Sequence, residues 1–153
     1  MRKIIEIKEC MKTFEGDGIP VTRAFPVPGM RENDPFLLFD HFGPINYEPG
    51  GATGVPAHPH CGFEAITYML GGEVEHRDSF GGQAEIETGD VQWMTTGSGL
   101  IHSELVQKNL RRVVVSCKVY KSGLTFHKKI KKLNLGINIL KETLFQQYPK
   151  MRI

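Results

Sequence analysis

Short segments of alternating apolar and polar residues, separated by glycine-rich turns, recur along the chain before residue 105. Glycine pairs such as Gly71-Gly72 and Gly81-Gly82 separate these segments at intervals of about ten residues, which is typical of strands joined by tight turns. The predicted strands cover residues 36–39, 64–70, 73–77, 83–87 and 91–94. The pattern predicts an all-β fold, either an antiparallel sandwich or a barrel.

No segment before residue 105 shows a helical period of convincing length. After that point the pattern changes. Residues 111–120 are consistent with one more strand, whereas residues 128–135 alternate poorly and include four lysines within five positions. The sequence therefore assigns no structure to residues 128–135.

Length and composition indicate one globular domain, since the chain has 153 residues, of which 40% are hydrophobic and 24% charged. Its apolar runs are far shorter than the roughly 20 residues that a membrane-spanning helix requires. Charged residues near the N-terminus interrupt any core of signal-peptide length. The three cysteines, Cys10, Cys61 and Cys117, include no C-x-x-C pair and suit a reducing compartment. We expect a cytoplasmic protein with no membrane partner.

The net charge of +2 conceals two oppositely charged parts. Residues 1–104 carry 7 basic and 16 acidic side chains, whereas residues 105–153 carry 12 basic and 1 acidic. We therefore predict a domain over 1–104 and a basic tail over 105–153. The tail would attract phosphates, but no helix-turn-helix or zinc-knuckle pattern accompanies its charge, so nucleic acid is not an expected partner.

Two pairs of side chains, His58 with His60 and His102 with Glu104, are candidate metal ligands. Residues i and i+2 of a strand project from the same face, so each pair offers two ligands in one direction. Three imidazoles and a carboxylate suit Fe(II), Mn, Ni, Cu or Zn better than Ca or Mg. The alternative for an isolated H-x-H is two unrelated histidines.

The longer string H-x-H-x3-E-x6-G, formed by His58, His60, Glu64 and Gly71, resembles the first motif of the cupin superfamily. Within that superfamily the sequence is similar to the pirin family. The similar segments extend from about Val21 to Glu104, namely DPFLLFDHF at 34–42, HPHCGFE at 58–64, GDVQWMTTG at 89–97 and GLIHSE at 99–104. The resemblance implies a cupin-type antiparallel β-barrel, or double-stranded β-helix, in a single and incomplete domain.

The same resemblance implies a mononuclear iron site held by His58, His60, His102 and Glu104, with Glu64 near the metal but not bound to it. Other divalent transition metals (Mn, Ni, Cu, Zn) stay open as alternatives. Pirin-like proteins are associated with a quercetin dioxygenase activity, which uses O2 and a flavonol-like substrate, and with iron-dependent transcriptional co-regulation, which implies a protein partner. For the dioxygenase, Glu104 is the candidate catalytic base, acting either as a metal ligand or after shifting away from the metal.

Several residues near these motifs are given structural roles. Cys61 follows His60 and is expected on the opposite face of the strand, as a buried or partly buried thiol. His41 and His76 are interpreted as surface groups or as groups just behind the ligands, with His41 favoured for the latter. The apolar side chains expected in the core are Trp93, Met94, Phe36, Phe39, Phe63 and Tyr68. Gly97-Ser98-Gly99 lacks the third glycine and the helix of a dinucleotide site.

The resemblance stops after Glu104. Pirins contain two cupin domains and continue with a Q-L-W-V-N-L-P run and a later P-x-Y, neither of which occurs here. The lysine-, isoleucine- and asparagine-rich segment that follows is typical of A/T-rich codons read in another frame, so we hypothesise a frameshift after about residue 104. Three functions stay open: a metal-dependent dioxygenase, a non-catalytic metal-dependent regulator, and a truncated inactive remnant.

Overall fold

The structure is a computed structural model that describes residues 4, 6–48, 50–106, 114–122 and 136–140. In the last two ranges it describes the backbone alone. The described residues form strands and turns without any helix, and none of them belongs to a helix long and apolar enough to cross a membrane.

Eleven strands, numbered β1 to β11 in chain order, make up the described part. They are Met11–Glu15, Ile19–Phe25, Phe36–Ile45, Gly54–His60, Phe63–Gly71, Glu73–Asp78, Gln83–Glu87, Val91–Thr95, Leu100–Leu105, Val114–Ser122 and Gly136–Leu140.

Two antiparallel sheets contain all of these strands. The larger sheet has the order β1-β2-β3-β10-β5-β8-β11, and the smaller has the order β4-β9-β6-β7. Every strand pair is antiparallel. The prediction of an all-β antiparallel fold is therefore confirmed, and the predicted segments lie within β3, β5, β6, β7 and β8.

The core lies between the two sheets, because each of its clusters combines side chains from both. Met69 of β5 packs with Val74 of β6 and Ile86 of β7. Ala65 and Met94 of the larger sheet likewise pack with Leu100 of β9. Burial of these apolar faces against one another holds the small sheet, and the motif histidines that it carries, in place.

Two strands come from the segment beyond residue 104. β10 lies between β3 and β5, with Val119 opposite Phe39 on one side and Ile66 on the other, and β11 extends the sheet beyond β8. The expected strand at 111–120 is thus found in β10 over residues 114–120, while residues 111–113 and 128–135 lie outside the described part. The division at residue 104 and the frameshift stay predictions, although β10 completes the centre of the larger sheet.

The assignment of the aromatic residues to the core is wrong for three of them. Trp93, Phe39 and Tyr68 are 36%, 37% and 43% exposed, whereas Met94 is fully buried as expected. Strand alternation is the reason: Met94 points into the space between the sheets, so its neighbour Trp93 points outward. Phe36 and Phe63 are half-buried.

Gly54 allows β4 to approach β9 closely. A Cβ atom at this position would overlap the Glu104 carbonyl oxygen and lie 2.7 Å from the Leu105 Cα. Both contacts are backbone atoms, which cannot rotate away. We expect Gly54→Ala to lower the free energy of unfolding by about 1–3 kcal/mol more than Gly99→Ala, because overpacking carries that cost.

Gly99 is the matched control, since it has a similar φ of +144° against +157° for Gly54, and open space around its added Cβ. Urea denaturation of the two variants measures the difference. Equal losses would show that backbone conformation alone, and not the approach of β4 to β9, requires glycine at position 54.

Candidate metal centre

Three histidines from two paired strands converge at one point. His58 on β4 is directly opposite His102 on β9, and His60 lies two residues further along β4 on the same face. The ring centroids are 4.4 Å apart for His58 and His102, 4.7 Å for His58 and His60, and 4.9 Å for His60 and His102. One ring nitrogen from each lies within 4.8 Å of the others. Such a group has the donor type and the spacing to surround a metal ion.

The burial of the three rings and the hydrogen bond of His58 favour metal binding. His102 is 3% and His60 9% exposed, and His58 is half-buried. His58 Nδ1 lies 2.7 Å from the Pro56 carbonyl oxygen, which can only accept a hydrogen bond. Nδ1 therefore donates its proton to Pro56, and the lone pair of His58 is on Nε2. This arrangement is the usual one for a metal-binding imidazole.

Glu104 lies two residues after His102 on β9 and is 3% exposed. Its Oε1 accepts hydrogen bonds from Gln92 Nε2 at 2.6 Å and from Thr67 Oγ1 at 3.4 Å. Among the described residues, the candidate ligand atoms that lie within 4.8 Å of one another belong to the three histidines and do not include an oxygen of Glu104. The carboxylate is thus held inside the barrel beside the imidazole group, by two polar side chains that the sequence had not indicated.

Glu64 does not lie where the resemblance implies. Thr67 points inward to Glu104, so Glu64, three residues earlier on the regular strand β5, points to the outer face. There its Oε2 accepts hydrogen bonds from Trp93 Nε1 at 2.7 Å and from Thr95 Oγ1 at 2.9 Å. The expectation that Glu64 lies near the metal is therefore corrected: this carboxylate binds the outward-facing side chains of β8.

A cleft of about 310 Å³ opens beside His58 and His60. Leu38, Phe42 and Val55 contribute apolar walls. The volume falls at the lower end of the range found for small-molecule sites. Its location against two of the three imidazoles makes it the candidate binding site for a substrate.

The polar end of the cleft is an ion-pair cluster centred on Arg23. Arg23 donates from Nε to Asp40 Oδ1 at 2.8 Å and from Nη2 to Asp40 Oδ2 at 2.7 Å, and it also donates to Glu15. The hydrogen bonds to Asp40 raise the pKa of the guanidinium, burial opposes this rise, and Glu15 adds to it. The cluster holds one fixed positive charge and two acidic groups facing a partly enclosed space.

Behind the three histidines lies a fourth, His76, in one of the two locations that the sequence left open for it. His76 is fully buried, and its Nδ1 lies 3.3 Å from His102 Nδ1, so of its two interpretations the one that places it just behind the ligands is confirmed. His41, which had been favoured for such a place, is half-buried on β3, outside the group. Cys61 is exposed rather than buried, because it follows the end of β4 at the start of a turn. His76 and Asp78 share the i, i+2 spacing of the ligand pairs, which is the signal that could have identified them.

Asp78 also lies behind the three histidines, in contact with His76. Its Oδ2 lies 3.3 Å from His76 Nε2, and its Oδ1 accepts from the backbone N–H groups of Phe80 and Gly82 at 2.8 and 2.9 Å. Burial raises the pKa of the Asp78 carboxyl, but the hydrogen bonds from Gly82, Phe80 and His76 together lower it below 3.8. Asp78 is therefore an ionised acceptor at neutral pH.

Comparison with known proteins identifies a family. The family model described as Pirin matches residues 18–118, more than half of the chain. A pirin-like protein of Solanum lycopersicum is 47% identical over 60% of this chain and 30% of its own length. A Pseudomonas aeruginosa protein named "Putative quercetin 2,3-dioxygenase" is 41% identical over 72% of this chain and 40% of its own length. The chain thus spans less than half the length of these curated relatives.

Solved structures agree with this assignment. Quercetin 2,3-dioxygenase from Acinetobacter baumannii superposes with a TM-score of 0.74 and 33% identity, over 87% of this chain and 47% of that protein. A bacterial pirin from Escherichia coli in complex with nickel(II) has a TM-score of 0.66 at 20% identity, over 86% of this chain and 53% of its own, a likeness of fold alone. The predicted cupin-type fold is confirmed, and the chain belongs to the pirin family.

Proposed function

We propose that this chain is a metal-dependent dioxygenase of the quercetinase type, with iron as its metal and a flavonol-like molecule as its substrate. The observation that supports it most is the convergence of His58, His60 and His102 beside a cleft of about 310 Å³. The relatives named quercetin 2,3-dioxygenase add support from homology.

The donor atoms fit a divalent transition metal. Imidazole nitrogens suit Fe, Ni, Cu and Zn, and a nearby carboxylate extends the set to Mn. We propose Glu104 as the fourth ligand, because it shares the inward face of β9 with His102 and is already held by Gln92 and Thr67. When bound, the metal would supply Lewis acidity toward the hydroxyl and carbonyl oxygens of a flavonol and redox capacity toward O2.

The residues of the chain would supply binding, orientation and proton transfer. The apolar side chains of the cleft would contact the flat rings of a flavonol and exclude water from the imidazole group. Glu104 would take the proton of the flavonol hydroxyl, which makes that oxygen an anion. Gln92, which donates to Glu104 at 2.6 Å, would stabilise the ionised form of the carboxylate and hold it in one orientation.

Oxygen consumption with quercetin tests this function. We expect the chain loaded anaerobically with Fe(II) to consume O2 on addition of quercetin, and His58→Ala to abolish the uptake. Glu104→Gln should lower the rate by about 10²–10⁴-fold, as for loss of a general base, with metal content measured in parallel. His41→Ala is the matched control, since it removes a half-buried histidine outside the group.

Two results would contradict the proposal in different ways. Stoichiometric iron without quercetin-dependent O2 uptake would exclude the dioxygenase and favour the non-catalytic regulator. Uptake that persists in His58→Ala would exclude the three-histidine site as its origin.

A further inference from the structure

His102 is in contact with a second buried imidazole that is not part of the three-histidine group. The rings of His102 and His76 are 5.2 Å apart at 41°, and their Nδ1 atoms lie at 3.3 Å. His76 is on β6, which pairs with β9, and it is 0% exposed. A buried imidazole is costly unless its nitrogens are hydrogen-bonded, so this contact calls for one nitrogen to donate and the other to accept.

Asp78 determines which nitrogen donates. Its side chain is 1% exposed, and its Oδ1 is already bound by two backbone N–H groups. A Cβ atom on Gly82 would overlap this carboxylate, so the loop closes tightly around it. An ionised carboxylate only accepts hydrogen bonds, and therefore His76 Nε2 must carry the proton that points to Asp78 Oδ2.

The position of the proton on His76 determines the position of the proton on His102. A neutral His76 imidazole with its proton on Nε2 has its lone pair on Nδ1 and accepts from His102 Nδ1. His102 then carries its proton on Nδ1 and its lone pair on Nε2. That is the tautomer in which His102 can share a metal with His58, whose lone pair is also on Nε2 because Pro56 accepts from its Nδ1.

We propose that Asp78 and His76 form a hydrogen-bonded relay that fixes the tautomer and the orientation of His102 before any metal arrives. Both are positioning residues, since they act on the centre through His102. The relay deepens the proposed function and rests on its metal site, but the tautomer itself exists without metal and can be measured separately.

Long-range ¹H–¹⁵N correlation spectra of the metal-free 153-residue chain give the first test. We expect the Nδ1–H tautomer for His102 in the wild-type chain. Asp78→Asn is the sharpest variant: its carbonyl oxygen would keep the two backbone N–H donors, and its NH₂ group would donate to His76 Nε2. His76 would then donate from Nδ1, and the tautomer of His102 would reverse to Nε2–H.

Metal affinity gives the second test, using Ni(II) or Fe(II) alone as the probe. Removal of an outer partner of a ligand typically costs 10–100-fold, so we expect that loss for His76→Leu and Asp78→Asn. His76→Gln should restore part of the affinity, because one amide group can accept from His102 and donate to Asp78. His41→Leu is the control for loss of a half-buried histidine, with circular dichroism as the check on folding.

The outcomes separate this proposal from the proposed function. An Nε2–H tautomer of His102 in the wild-type chain, or one that Asp78→Asn leaves unchanged, would overturn the relay. So would metal affinities of His76→Leu and Asp78→Asn within twofold of wild type. If the predicted tautomers are found but the wild-type chain binds no metal, the relay stands and the proposed function fails.

Discussion

One divalent metal ion per chain is the expected content of the purified 153-residue protein after anaerobic incubation with Fe(II), and His102→Ala should abolish it. The three imidazoles already converge, with ring nitrogens within 4.8 Å of one another, so binding requires little rearrangement. Because losing an outer partner costs 10–100-fold, losing a ligand should weaken binding by more than about 100-fold. Metal analysis by mass spectrometry, after removal of free ion, measures the content.

Thermal unfolding provides an independent readout of the same binding. Metal at a free concentration of about 100 times its dissociation constant stabilises the folded chain by about 2.7 kcal/mol, which raises Tm by several degrees. His102→Ala should lose this rise, whereas His41→Ala should retain it. Soluble, folded wild-type chain that binds no iron would contradict the prediction and favour the truncated, inactive remnant. Each metal is tested alone, since mixtures would report the affinity order of the metals instead.

The sequence was sufficient to locate the imidazole group because its geometry is local. His58 and His60 share one face of a strand at spacing i, i+2, and this relation holds in any β-strand. The pairing of β4 with β9 then places His102 opposite His58. Spacing within each strand could thus be read directly, and the resemblance to pirins supplied the pairing between strands.

The residues that support the group could not be found in the same way. The contacts of Gln92 and Thr67 with Glu104 join β8 and β5 to β9, and no local pattern determines such pairings. The sequence also does not show which side chains of β5 and β8 point inward. Trp93 was therefore assigned to the core from its apolar character alone. Glu64 was misplaced for a related reason, since its motif spacing does not reveal the face on which it lies.

The role of β10 shows a further limit of local patterns. Its segment follows β9 in the chain, yet it lies between β3 and β5, far from its sequence neighbours. Strand order in an antiparallel sheet depends on how several distant segments bury their faces together. Charge and composition instead separated residues 105–153 from the rest, although β10 pairs along most of its length with two strands of the first part.

A second large effect is expected at the polar end of the cleft. Arg23→Met should lower the free energy of unfolding by about 3–5 kcal/mol, the usual cost of leaving one member of a buried ion pair alone. Asp40 is 1% exposed and accepts two hydrogen bonds from Arg23, so its carboxylate would lose both. Urea denaturation measures the loss.

Two further variants test the cause of that loss. Arg77→Met removes a comparable pair with Glu75, but Arg77 is 62% exposed, so its cost should stay below about 1 kcal/mol. Adding Asp40→Asn to Arg23→Met should restore part of the stability, because the buried charge disappears. Equal losses in Arg23→Met and Arg77→Met would contradict the buried-pair explanation.

Since Arg23 lines the cleft beside His58 and His60 but lies outside the imidazole group, Arg23→Met should alter binding of a flavonol while the metal content of folded chain stays near one.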